Sequence, residues 1–134
     1  KDIIKLEKML EKDYKHKIRV VHINGAFFFG SATQLISQFD EFLGTRYLIL
    51  VYDSESLLDI SAMFALEDII LRLKSQHIKT LMVIKNQEVY NQLKNYNIVS
   101  QIGESRMFFD EIEAINHAKQ SFKKRVKKKY FGKS

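Results

Sequence analysis

The sequence contains no cysteine, no proline and no tryptophan. Without cysteine there is no disulfide, no thiolate zinc site and no thiol nucleophile, a usage compatible with a reducing compartment. Without proline there is no proline-rich linker, and no segment of the chain repeats another. Long hydrophobic runs are missing as well: none approaches the roughly 18 apolar residues needed to cross a bilayer, and nothing at the N-terminus has a signal-peptide pattern. The chain starts at Lys1 rather than Met, which suggests a piece of a longer protein. What is there suits one core: 134 residues, 46% of them apolar, with ten Phe and six Tyr.

Catalytic patterns are absent too. There is no Gly-x-x-x-x-Gly-Lys phosphate loop, no Gly-x-Ser-x-Gly elbow and no His-Glu-x-x-His. His16, His22, His77 and His117 stand singly, without the paired spacing of metal ligands or of acid-base partners. Asp53 and Asp59 flank one loop at the end of a predicted strand. Two carboxylates there suit a Mg²⁺ ion or an acid-base pair; a turn residue and a helix cap are the simpler use. The sequence therefore reads as non-catalytic, with no cofactor and no metal.

Hydrophobic periodicity alternates between strand and helix. Residues 2–14 carry Ile3, Ile4, Leu6, Met9 and Leu10 among charges, which predicts a helical lead-in or linker over 1–17. Residues 18–29 read as two short strands joined at Gly25, and Ser31 to Gln34 open a helix with Leu35, Phe39, Phe42 and Leu43 on its buried side. Tyr47 to Tyr52 is apolar on both faces, as a strand inside a sheet should be. Ala62, Leu66, Ile69, Ile70 and Leu73 form a stripe on a second helix. Thr80 to Ile84 is another buried strand, Gln87 to Tyr96 a short helix, and Met107 to Phe109 a brief last strand. Asp110 caps a final helix carrying Ile112, Ile115, Ala118 and Phe122. Strands alternating with helices imply a largely parallel sheet.

The chemistry concentrates in two places. Between strand and helix, Asp53, Ser54, Leu57, Asp59, Ile60, Ser61 and Ala62 make an exposed loop. Its serine hydroxyl sits among unpaired N–H groups at the positive end of a helix dipole, a place for a phosphate or a partner's anionic group. Either that, or Asp59 or Ser61 is an ordinary N-cap. The other place is the C-terminus. Residues 119–134 hold eight Lys or Arg and no acid, whereas residues 1–118 hold 14 basic and 16 acidic residues, so the net +6 belongs wholly to the tail. Lys123, Lys124, Arg125, Lys127, Lys128 and Lys129 read either as a solvated helix end or as a contact for anionic lipid. Nucleic acid ranks below both, since no binding motif accompanies the cluster.

Two motifs together resemble a STAS domain, most closely that of SulP-type anion transporters. The first is Gly25-Ala26-Phe27-Phe28-Phe29-Gly30-Ser31, where the family has Gly-Pro, two large apolar residues and a small residue leading into a helix. The second is the apolar strand Leu48 to Asp53, a loop, then Asp59-Ile60-Ser61-Ala62, where the family has Asp-x-Ser/Thr-Gly. Ala26 replaces the proline and Ala62 the glycine. The latter change adds a methyl group where a kinase or partner would approach Ser61. The resemblance spans roughly 18–118. It implies a STAS-like α/β fold, a mixed, mostly parallel sheet with helices mainly on one face, followed by a basic helix end and tail over 119–134. It also implies a non-catalytic regulatory module on the cytoplasmic side of the inner membrane. Its partners would be the transmembrane part of the same transporter, a regulatory protein, anionic lipid and weakly a nucleotide at the Ser61 loop. The transported solutes would be sulfate-like or dicarboxylate anions. The alternatives are a free-standing anti-sigma-factor antagonist switched by phosphorylation at Ser61, and a small-ligand or nucleotide binder at the same helix start.

Overall fold

Three apolar runs, 18–23, 47–52 and 79–84, become the centre of one sheet. The computed structural model describes residues 4–7, 17–23, 44–54 and 56–131. Its strands are β1 (Ile4–Glu7), β2 (Ile18–Ile23), β3 (Tyr47–Tyr52), β4 (Lys79–Ile84) and β5 (Met107–Phe108), side by side in chain order. Strand β1 runs antiparallel to β2, and the four strands β2 to β5 are mutually parallel. The register places Ile18 opposite Tyr47, and Tyr47 opposite Lys79. The mixed, mostly parallel sheet expected from the sequence is therefore present.

The lead-in requires a correction. The helix expected within 1–17 is a strand at Ile4–Glu7. Ile4-Lys5-Leu6-Glu7 alternates apolar and polar residues with a period of two, and the open side of β2 supplies the backbone partners that a four-residue segment needs. The second strand and the Ser31 to Leu43 helix expected from the first motif lie outside the described residues.

The sequential strand order decides where the helices go. Right-handed crossovers between successive parallel strands place their helices on the same face of the sheet. Accordingly α1 (Ile60–Ser75), α2 (Gln87–Asn95) and α3 (Ile98–Ile102) pack against Val21, Leu48, Leu50, Tyr52 and Met82. The opposite face, made of Ile18, Val20, Tyr47, Ile49, Val51, Leu81 and Val83, needs a cover that is not a crossover. That cover is α4 (Glu111–Phe131), which follows the last strand, turns back and buries Ala114 and Ala118. All six residues of β3 are buried, as its apolar sequence requires once both faces are covered. Each large aliphatic side chain so buried stabilises the fold by about 1.5–3 kcal/mol.

The helix ends follow capping rules. Asp59 caps α1, Asn86 caps α2, and Asp110 accepts from the Glu113 N–H at 3.1 Å to cap α4. The end of α1 is a Schellman turn: Ile78 N–H donates to Leu73 O at 2.9 Å, and His77 N–H to Lys74 O at 2.9 Å. The residue at the left-handed position is His77, φ 64°, where glycine is the usual occupant. A side chain held there costs about 1–2 kcal/mol. Helix α4 runs unbroken past Ala118, so the basic segment continues the helix that covers the sheet.

Candidate functional site

Strand β3 delivers its chain to the sheet's carboxyl edge, where Asp53 N–H donates to Ile23 O at 3.3 Å. The loop then folds on itself. Tyr52 donates its hydroxyl to Ser56 O at 2.8 Å, and Ser56 N–H donates to Ser54 Oγ at 3.1 Å. A side chain from α2 holds the next step: Leu58 N–H donates to Gln92 Oε1 at 2.9 Å, while Gln92 Nε2 donates to Leu58 O. One amide thus pairs with both backbone groups of a buried residue, as a neighbouring strand would.

At the helix start, Asp59 Oδ1 accepts from Ala62 N–H at 2.8 Å and from Ser61 Oγ at 3.1 Å. The capping role open to Asp59 or Ser61 thus falls to Asp59. Ser61 is exposed, while Ala62 is fully buried, so a partner meets the hydroxyl and not the methyl group. A phosphate on Ser61 would lose that donor and place about −1.5 to −2 charges beside the Asp59 carboxylate, against a favourable helix dipole. Asp53 and Asp59 are both exposed, and among the described residues no three His, Asp or Glu side chains form a metal-holding group.

Around this loop the surface is apolar. Leu57 and Ile60 are each 55% exposed and Phe64 is 62% exposed, with Leu71 further along the helix at 53%. Ile60, Phe64 and Leu71 stand at i, i+4 and i+11, which is one stripe, and it lies opposite the Ala62, Leu66, Ile69 and Leu73 stripe that meets the sheet. Sequence reasoning picked out Leu57 and Ile60 but missed Phe64 and Leu71. The signal was available: large apolar residues off the core-facing stripe of an amphipathic helix have no partner inside the domain.

Of the histidines, His22 and His117 have local partners, and His16 lies outside the described residues. His22 Nε2 lies 3.2 Å from Glu111 Oε2, tying β2 to the start of α4. The His117 ring packs on Phe108 with centroids 5.4 Å apart. Burial, then the charges of Arg106 and Lys124, hold its pKa below the ordinary value. In the basic segment Lys123, Lys124 and Arg125 are exposed on α4; the side chains of Lys127, Lys128 and Lys129 lie outside the described residues.

The chain is thus an α/β domain with a capped, apolar-rimmed loop at the carboxyl edge of its sheet and a basic final helix. A family model for the STAS domain matches residues 9–115. The chain belongs to the STAS domain family. Among solved structures it is similar to a sulfate transporter family protein from Wolinella succinogenes, 25% identical with a TM-score of 0.69 over 77% of this chain and 85% of that one. It is also similar to the SulP transporter STAS domain from Vibrio cholerae, 24% identical with a TM-score of 0.73 over 86% and 88%. The fold recurs in SLC26A9, 14% identical with a TM-score of 0.66; there the match takes in 86% of this chain but only 21% of that much longer one. A comparison with curated proteins gives no match. No described helix is long and apolar enough to cross a membrane.

Proposed function

We propose that this domain is the non-catalytic regulatory module of a SulP-type anion transporter, held on the cytoplasmic side of the inner membrane. Its role there is to modulate passage of sulfate-like or dicarboxylate anions by binding at the Asp53 to Ala62 loop. The observation that carries this reading is the trio Leu57, Ile60 and Phe64, exposed around the capped Asp59–Ser61 pair. An apolar patch rimmed by polar groups suits a protein surface, and the transmembrane part of the same transporter or a regulatory protein supplies one. The likeness to sulfate transporter domains supports the transporter context. The basic end of α4 adds attraction to anionic headgroups through Lys123, Lys124, Arg125 and Lys127 to Lys129, worth about 1 kcal/mol for each basic residue near the surface and screened by salt.

The test uses Phe64→Asp and Ser61→Asp in the parent transporter. Both sites are exposed, so the domain should keep its helical content while transport changes severalfold. Normal transport in both variants, together with unchanged crosslinking between the domain and its partners, would refute the interaction loop.

A further inference from the structure

At the sheet's amino edge, opposite the Ser61 loop, lies a second feature. Each parallel strand there is entered through a cation: Lys17 precedes β2, Arg46 precedes β3, Lys79 opens β4 and Arg106 precedes β5. Backbone bonds hold the first three together, Arg46 N–H donating to Lys17 O and Lys79 N–H to Arg46 O, each at 2.8 Å, while Arg106 enters two residues further along β4. Neighbouring parallel strands are about 4.8 Å apart, and of these four cations Lys79 and Arg106 come together at one cavity.

Beside the row is a half-open cavity of about 310 Å³, where the two covered faces of the sheet meet. Lys74 and His77 reach it from the end of α1, Lys79 from β4, Arg106 from the turn before β5, and Arg125 from α4. Ile70, Ile78 and Ile102 form its apolar wall. Among the described residues no carboxylate lines it. Glu67 is connected to it indirectly, its Oε2 accepting from the lining residue Gln101 at 2.8 Å. Arg106 commits one N–H to Ile102 O at 3.2 Å, out of the five that a guanidinium carries. His77 is the residue held in the left-handed conformation at the helix end, so the chain carries an imidazole at the cavity where glycine would be unstrained.

We propose that this cavity binds the phosphate group of a small phosphorylated molecule. Lys74, Lys79, Arg106 and Arg125 neutralise the anion, and Ile78 and Ile102 receive the adjoining apolar body. The inference does not depend on the transporter reading. Two guanidinium forks suit a tetrahedral oxyanion, and four formal positive charges exceed what one carboxylate can balance. The volume sits at the lower end for a small-molecule site, which favours a compact ligand. The mutual repulsion is visible in Lys79: burial, then Arg106 and Arg125, lower its pKa, and a bound dianion reverses the two charge effects.

The probes are inorganic phosphate, phenyl phosphate and benzoate, titrated into the 134-residue chain while amide resonances of Thr80, Gln101 and Ile102 are followed. Saturable shifts are expected with phenyl phosphate tightest and benzoate weakest. Lys74→Gln and Lys79→Gln, neither in a described side-chain hydrogen bond, should each weaken phenyl phosphate by about tenfold. Lys94→Gln, the same charge change on exposed α2, should not. Phosphatidylcholine vesicles with and without phosphatidic acid separate the two sources of phosphate. Sedimentation that needs phosphatidic acid and is lost in the pocket variants identifies a headgroup; phenyl phosphate binding without such sedimentation identifies a free phosphorylated molecule. Absence of saturable shifts, or equal weakening by Lys94→Gln, overturns the site.

Discussion

Gln92 offers the sharpest test of how the Ser61 loop is held. Replacing it with alanine removes the partner of both Leu58 N–H and Leu58 C=O, in a residue only 6% exposed. A buried backbone group left without a partner costs about 1–3 kcal/mol, so two such groups set the range at about 2–6 kcal/mol. Water entering the space vacated beside an exposed loop brings the loss to the low end, and alanine in α2 returns a few tenths through helix propensity. The net expectation is about 2 kcal/mol. For a chain of this size that lowers Tm by roughly 6–10 °C, measured by calorimetry. Gln92→Glu keeps the acceptor but cannot donate to Leu58 O, and should lose about half as much. Hydrogen exchange gives the local readout: the Leu58 amide should exchange about 10–30-fold faster in Gln92→Ala, with the amides of β3 nearly unaffected. An unchanged Tm with unchanged protection at Leu58 would refute the tether.

Three further expectations follow from single contacts. His77→Gly relieves the left-handed strain at the end of α1 and should raise stability by about 1 kcal/mol in urea unfolding, whereas His77→Ala should give no such gain. His117 is held below its ordinary pKa, so the unfolded chain takes up its proton first. Stability should be intact above about pH 6.5 and fall as pH drops through the folded value, and His117→Phe should flatten that acid-side slope in Tm-versus-pH curves. Asp59→Ala deletes the α1 cap and should cost about 1 kcal/mol, with Asp59→Asn nearly neutral, by thermal unfolding.

The strands inside the sheet were legible because burial on both faces leaves nothing but apolar residues: Tyr47 to Tyr52 was bounded to the residue, and Thr80 to Ile84 to within one. Capping chemistry made Asp110 legible in the same way, whereas at the α1 start it left Asp59 and Ser61 as equal candidates, and only the structure gives the cap to Asp59. Ile4 to Glu7 was misread because a strand of four residues carries only two alternations, too few to outweigh a longer stretch that also fits a helical period. The amino-edge pocket was invisible for another reason. Lys74, Lys79, Arg106 and Arg125 are each an ordinary surface cation in sequence, and only the crossovers bring them to one edge.

The strand order has a consequence for what this architecture can host. In sheets whose order reverses partway, crossovers leave neighbouring strands toward opposite sides and part at the carboxyl edge, opening the crevice where nucleotides and substrates usually sink. Here the order never reverses. The loops leaving β3 and β4 lead to helices on the same face, and β5 alone among the described strands feeds the helix on the other, so between β3 and β4 the scaffold supplies no ready-made cleft at that edge. At that edge, ligands and partners are left to the rim. New binding specificity in such a scaffold can be gained by changing a few rim side chains, without disturbing the sheet that holds them.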